Sequence, residues 1–245
     1  MVCRILVGAL GVFAAALPLS ARENLERDTI RTSAGNLEIT FIGHGSLMMR
    51  CAGTIIHIDP YGRLTDYRNL LKADLVLITH HHSDHLDMSA LNLVCKDKTV
   101  ILLTKASAAQ AGKGIVMANG DVRTVSGIKI EAVPAYNLVH KRPDGAAFHP
   151  KGEGNGYVLT FGGTRVYVAG DTENIPEMKA LKQIDVAFLP MNLPYTMTPE
   201  MVADAAGAFR PKVLYPYHYG ETDPGTVAAL LKDSRDIEVR IRAMK

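Results

Sequence analysis

Leu75-Val76-Leu77-Ile78-Thr79-His80-His81-His82-Ser83-Asp84-His85-Leu86-Asp87 is the stretch whose reading decides the fold. Its four apolar residues read as a short buried strand. The pattern His-x-His-x-Asp-His follows at once, packing the imidazoles of His80, His82 and His85 and the carboxylate of Asp84 into six residues. Ionisable groups this dense repel one another and are costly to desolvate, so a metal ion is the natural compensating charge. Alternate spacing sends His80 and His82 to one side of an extended segment, while His81 points away and reads as a packing or surface residue. Asp84 and His85 fall where the chain turns toward a helix, in position to face a second metal. A polyhistidine tract would carry no internal Asp and would not sit between a strand and an amphipathic segment.

Working outward, residues 36–42 alternate as a half-buried strand should. Gly43-His44-Gly45 turns the chain into residues 46–51, and Ala52-Gly53 makes a hairpin turn into 54–58, which ends at Asp59-Pro60. Further strands are expected at 99–103, 121–125 and 128–133. The second half repeats the theme. Residues 157–161 and 165–169 read as a hairpin ending at Gly170-Asp171-Thr172, followed by buried strands at 185–189 and 213–217, the latter ending at His218. Helical patterns cover 176–183, 199–209 and 223–232. Thr198 and Asp223 are good N-caps, with Pro199 and Pro224 at the first helical position.

Asp59, His80, Asp171 and His218 therefore each follow a strand directly. In layered α/β folds the loops at one set of strand ends form the site, while strand interiors form the core. Two halves, each of strands followed by helices, imply two sheets face to face with helices outside. No linker interrupts residues 36–245, which read as one domain after a polar connector at 22–35.

Composition sets outer limits. Of 245 residues, 47% are hydrophobic and 21% charged, and the formal net charge is +2, an ordinary globular balance that argues against nucleic acid as a partner. Trp is absent, so no base-stacking platform is expected. Residues 1–21 have the layout of a signal peptide: a basic start, an apolar run over 5–19, and a small-residue exit at Ser20-Ala21. The run is short for a bilayer span, so the expectation is an exported, periplasmic or secreted protein with no stable membrane insertion after cleavage. Cys3 would leave with the leader. Cys51 and Cys95 remain as a possible pair or as buried thiols, and neither lies beside the histidine cluster.

With those residues in view, the chain resembles the metallo-β-lactamase superfamily of metal-dependent hydrolases. The carriers are Asp59 in Ile58-Asp59-Pro60, the run His80 to His85, Gly170-Asp171-Thr172, and His218 in Tyr215-Pro216-Tyr217-His218-Tyr219. Gly43-His44-Gly45-Ser46 is similar to the branch holding lactonase-like and N-acyl phosphatidylethanolamine phospholipase D-like proteins. The resemblance implies a four-layer αββα sandwich with a cleft at one edge of the sheets, holding two divalent metal ions. Zinc suits the donors best, and manganese or iron would also fit. It further implies that His80 and His82 bind the first metal, that Asp84, His85 and His218 bind the second, that Asp171 bridges them, and that Asp59 hydrogen-bonds toward the ligand loop. Thr79 and Asp87 read as strand-end and helix-start residues.

One ligand departs from the family pattern. The superfamily usually supplies a third histidine to the first metal just after the strand that here ends near Ala135, but this chain reads Ala135-Tyr136-Asn137. His149, in a bendable segment with Gly152, Gly154 and Gly156, is the preferred replacement. His140, Asn137, water and a single-metal site are the alternatives. Of the remaining groups, His57 reads as a core or surface residue, and His44 as a turn residue or a lining of the cleft. Tyr195 is a candidate substrate contact, and Lys141, Arg142 and Lys151 are candidates to meet an anionic group. The expected function is hydrolysis of an ester, lactone, amide or phosphodiester bond of a small molecule, with a shared hydroxide as nucleophile and Asp84 or Asp171 orienting it or carrying a proton. No Gly-x-Ser-x-Gly elbow offers a rival nucleophile. The alternative from another class is a metal- or ligand-binding module of the same fold without turnover.

Overall fold

The computed structural model describes residues 25–245, so the expected leader at 1–21 lies outside the described residues. Alternation along the strands divides the interior. In the strand Val213–Tyr217, the side chains of Val213, Tyr215 and Tyr217 join the core between the sheets, while Leu214 joins the cluster under the outer helices. In Leu75–Leu77, Leu75 and Leu77 face the central core and Val76 faces the other outer layer. Strands this apolar on both faces must be covered on both, which fixes the four layers.

The first sheet runs in chain order through β1 (Arg27–Thr32), β2 (Gly35–Gly43), β3 (Ser46–Cys51), β4 (Thr54–Ile58), β5 (Leu75–Leu77), β6 (Val100–Leu103) and β7 (Ile115–Val116). Neighbours are antiparallel as far as β4 and parallel from β4 onward. The second sheet follows the same plan through β8 (Val122–Val125), β9 (Ile128–Ala135), β10 (Gly154–Phe161), β11 (Thr164–Val168), β12 (Val186–Pro190), β13 (Val213–Tyr217) and β14 (Glu238–Val239). It switches from antiparallel to parallel pairing at β11. Tight turns suffice for antiparallel neighbours, whereas parallel ones need crossovers. Most of those crossovers carry the helices: α1 (Met88–Val94), α2 (Lys105–Ala111), α3 (Pro176–Lys179), α4 (Pro199–Phe209) and α5 (Pro224–Leu230). The expected αββα sandwich is the observed architecture.

Local signals explain the helix starts. Asp87 accepts hydrogen bonds from the backbone N–H groups of Ser89 and Ala90 at the start of α1. Thr198 accepts from Met201 N–H at α4, and Asp223 from Gly225 N–H at α5, each followed by proline at the first helical position. The pattern at 176–183 is longer than the helix found. α3 stops at Lys179, because Leu181 N–H bonds back to Met178 in a tighter turn and Gln183 takes a left-handed φ of 55°.

The connector expected at 22–35 is also corrected, since it contains β1, which pairs along its whole length with β2. Its alternation is hidden by charged residues on an exposed edge. Asp28 within it accepts bidentate hydrogen bonds from Arg242 and one from Tyr215, tying the strand to residues near the far end of the chain. Cys51 is buried, Cys95 half-buried, and both are free thiols. No helix of the described residues is long and apolar enough to cross a membrane.

Candidate metal centre

The site grows out of strand ends. Asp59 directly follows β4 and His218 directly follows β13, while His80 and Asp171 each lie three residues past the ends of β5 and β11. Their side chains meet at one edge of the two sheets. Three site residues there leave ordinary backbone space: His44, Asp59 and His218 have φ of 51°, 44° and 46°. Left-handed conformations at non-glycine residues cost roughly 1–3 kcal/mol each and persist only where the surroundings over-determine them. Here they do. His218 N–H donates to the His44 carbonyl at 3.0 Å, and Asp59 accepts from both the backbone N–H and the hydroxyl of Thr79, at 2.8 and 2.5 Å.

Two groups of ligand-type atoms result. In the first, potential donor atoms of His80, His82 and His149 all lie within 4.8 Å of one another, with His80 Nε2 3.0 Å from His82 Nδ1. In the second, His44, Asp84, His85 and His218 converge within the same limit. Asp171 stands between the groups. Its Oδ2 is 3.3 Å from His149 Nε2 and 3.9 Å from His80 Nε2, while its Oδ1 is 3.5 Å from His85 Nε2 and 3.6 Å from His218 Nε2. Asp84 Oδ2 lies 3.7 Å from both His85 Nε2 and His218 Nε2.

These residues fit metal ions. Donor atoms around one ion, with bonds of about 2.0–2.2 Å, stand roughly 3–4 Å apart, the spacing of both groups. Moreover, His85 Nε2, His218 Nε2 and Asp171 Oδ1 are buried without a hydrogen-bond partner, although they face one another. Buried polar atoms are otherwise nearly always paired, so three such orphans aimed at one point call for a cation.

The charge balance says the same. Burial raises the Asp171 carboxyl, but the neighbouring His218 and His85 outweigh it and hold it well below the usual carboxylate range. Burial raises Asp84 as well, and the neighbouring His218 and His44 imidazoles outweigh that and lower it. Burial lowers His85, yet Asp171 and Asp59 overcome it and lift that imidazole well above its usual range. Two carboxylates thus demand positive charge at His85. On the other side, burial and then His85 keep His80 well below the ordinary imidazole range, and burial and then His149 push His82 down to about 4, leaving both as neutral lone-pair donors at pH 7.

Orientation comes from partners behind the ligand-type residues. His85 Nδ1–H donates to Asp59 Oδ2 at 2.8 Å, which aims Nε2 at the cleft. Asn137 Oδ1 accepts from His149 Nδ1–H at 2.7 Å, which aims the other nitrogen of that ring at Asp171. Asn137 Nδ2 in turn donates to Glu173 and to the Tyr195 carbonyl, so its amide orientation is fixed. Glu173 is fully buried and accepts the consecutive backbone N–H groups of Leu138, Val139 and His140. A cleft of ≈ 410 Å³ opens over Asp84, His149, Asp171 and His218, and Arg142, Phe148, Asn192 and Tyr195 complete its wall.

The other candidates separate cleanly. His140 Nδ1 lies 2.8 Å from Glu173 and outside both groups, and Asn137 serves His149 rather than the cluster itself. Lys151 pairs with Glu177 at 2.8 Å, and Lys141 sits in an exposed turn. Buried His57 bonds the Leu71 carbonyl. Glu173 escapes the sequence reading, and His44 takes the cleft side of the two places left open for it. His44 Nε2 lies 3.0 Å from Asp84 Oδ2 with its ring 3.7 Å from that of His218, placing it inside the second group and not merely in a turn. Glu173 carried no signal at all, because an acid two residues past Asp171 looks like any loop carboxylate.

A histidine- and aspartate-lined cleft at the edge of an αββα sandwich defines a metal-dependent hydrolase fold and site. A family model described as the β-lactamase superfamily domain matches residues 38–218, and the chain belongs to that family. A UPF0173 metal-dependent hydrolase from Thermus thermophilus is 32% identical over 199 residues, covering 77% of this chain and 86% of that protein. Another, from Pelotomaculum thermopropionicum, is 27% identical over 221 residues, covering 84% of this chain and 96% of its own length. Among solved structures, a putative metal-dependent hydrolase from Parabacteroides distasonis superposes with a TM-score of 0.86 at 51% identity, covering 90% of this chain and 100% of that one. The metallo hydrolase Igni18 from Ignicoccus hospitalis gives 0.68 at 26% identity, over 84% and 94% of the two chains. The protein is a metal-dependent hydrolase of this superfamily.

The relatives also correct one expectation. Those from Pelotomaculum, Thermus, Methanopyrus and Lysinibacillus support hydrolase activity, metal binding and the fold, but not the signal peptide or the periplasmic placement read from residues 1–21. Both are withdrawn.

Proposed function

We propose that the protein hydrolyses an ester, lactone, amide or phosphodiester bond of a small molecule at a two-metal site. His80, His82 and His149 would hold one divalent ion, and Asp84, His85 and His218 the other, with Asp171 giving one oxygen to each. Zinc suits this nitrogen-rich set best. Two ions held there would supply a hydroxide at neutral pH and polarise the scissile group.

The chain's own residues do the rest. Asp59 and Asn137 hold His85 and His149 in the tautomer that leaves Nε2 free. Asp84 is the more exposed of the two site carboxylates, with 34% of its side chain open against 5% for Asp171. It is therefore the group placed to orient the nucleophile and pass a proton to the leaving group. Asp171, with one oxygen facing His149 and the other facing His85 and His218, would serve both ions.

The observation that carries this reading is the division of the Asp171 oxygens, 3.3 Å from His149 on one side and 3.5 Å from His85 on the other. The test is Asp171→Ala. Metal analysis should show fewer bound ions, and turnover across a panel of lactones, aryl esters, amides and phosphodiesters should be lost. Unchanged metal content together with unchanged turnover overturns the two-metal reading. Full metal content in the unaltered protein with no turnover of any panel member favours a binding module.

A further inference from the structure

We propose that Arg142 is the specificity residue of this cleft and that the substrate carries an oxyanion, a carboxylate or phosphate, set off from the scissile bond by an apolar or aromatic arm. This rests on the hydrolase reading of the same site and names its substrate class. Residues 137–149 form a loop pinned at its base, where Asn137 N–H donates to the His149 carbonyl at 2.9 Å and Asn137 Oδ1 accepts His149 N–H at 2.9 Å. The tip is a built turn. Lys141 bridges to Ala147, Arg142 N–H bonds Ala146 O at 2.7 Å, and Gly145, at a φ of 86°, bonds back to Arg142 O. One rigid loop thus places a metal-facing imidazole at its root and a guanidinium over the cleft.

The guanidinium is held but not satisfied. It lies 5.1 Å from the Phe148 ring centroid, and Nη2 donates to the Phe148 carbonyl at 3.4 Å. Among the described residues that line the cleft, Arg142 is the only arginine or lysine. The carboxylates of that wall, Asp84 and Asp171, are turned to the histidines. A guanidinium has five N–H donors in a flat fork suited to two oxygens of a carboxylate or phosphate, and the Phe148 carbonyl takes up only one of them. Phe148 and Tyr195 meet edge to face at 5.1 Å and 79°, and both line the same cleft, adding aromatic surface beside the guanidinium.

The test uses metal-loaded protein and three ligands with no hydrolysable bond: 4-phenylbutyrate, 3-phenylpropylphosphonate and the neutral 4-phenylbutan-1-ol. In Arg142→Gln the ratio of anion to alcohol affinity should fall about tenfold, the worth of one charge-assisted hydrogen-bond set, with metal content unchanged. A fall for the carboxylate alone, or the phosphonate alone, supports the assignment and names the oxyanion. An unchanged ratio for both overturns it. A turnover arm compares an aryl monoester of glutaric acid with its methyl-capped diester, and the variant should lose preference for the anionic ester through KM rather than kcat. If the unaltered protein turns over neither ester, the hydrolase reading fails on those bonds, while the binding arm still decides the role of Arg142.

Discussion

Asn137 accepts two hydrogen bonds from a single residue, His149, one from its ring and one from its backbone, at 2.7 and 2.9 Å. The side chain at the place where the superfamily usually carries a histidine has thus become the support of a histidine twelve residues further on. Removing such a support typically weakens metal affinity by about 10–100-fold without removing a ligand. Asn137→Ala should therefore lower the affinity of one site by that factor in a chelator-competition titration, with the circular dichroism spectrum retained. Unaltered affinity at both sites would show that His149 needs no orienting partner.

His149 and His140 share a loop but not a role. His149 Nε2 faces Asp171 at 3.3 Å, whereas His140 Nδ1 faces Glu173 at 2.8 Å. His149→Ala should reduce bound metal to near one equivalent, and His140→Ala should leave the stoichiometry alone. Equal losses in the two variants would contradict the assignment of the third nitrogen to His149.

What the sequence made legible was whatever local periodicity and residue chemistry control. The strand ends at Asp59, His80, Asp171 and His218 could be found because a short, largely apolar run stops there and a polar group follows. β1 could not, because Arg27, Asp28 and Arg31 break the apolar pattern, and its anchors, Tyr215 and Arg242, are nearly two hundred residues away or more. The path of the loop carrying His149 depends on Glu173 gathering three backbone N–H groups from more than thirty residues upstream, a non-local contact that leaves no periodic trace. His44 lay in a glycine-rich turn whose direction only the packed structure reveals.

His44 sits against Asp84 and His218 and belongs to the second group of donors. His44→Ala should weaken the second metal selectively, so that titration with zinc becomes clearly biphasic while the first equivalent binds as before. A uniform change in both equivalents, or none, would place His44 outside the metal centre.

Gly45 shows how little room the second site has. A Cβ there would stand 2.9 Å from His85 Cε1 and 3.2 Å from His85 Nδ1, and the ring cannot retreat without breaking its 2.8 Å bond to Asp59. Gly45→Ala should destabilise the metal-free protein by about 1–3 kcal/mol, the usual cost of overpacking, and lower second-site affinity at the same time. Urea unfolding and metal titration on one preparation would check both. Loss of stability with metal affinity intact would mean that the strain is absorbed elsewhere.

His57 gives a pH prediction clear of the metal centre. Burial pushes its imidazole down to about 4, against only a partial offset from the Leu71 carbonyl at 2.8 Å. Between pH 6.5 and 4 the unfolded chain therefore binds a proton at this position that the folded protein refuses. Stability must fall as pH drops through that window, and the contribution is whole above the unfolded value near 6.5. A shift of this size corresponds to roughly 3 kcal/mol across the full window. Urea unfolding of metal-free protein at pH 7 and pH 4.5 should show a smaller loss for His57→Leu than for the unaltered chain, whatever the absolute stabilities. Equal losses would mean that His57 is protonated in the fold, and that the Leu71 carbonyl compensates for burial after all.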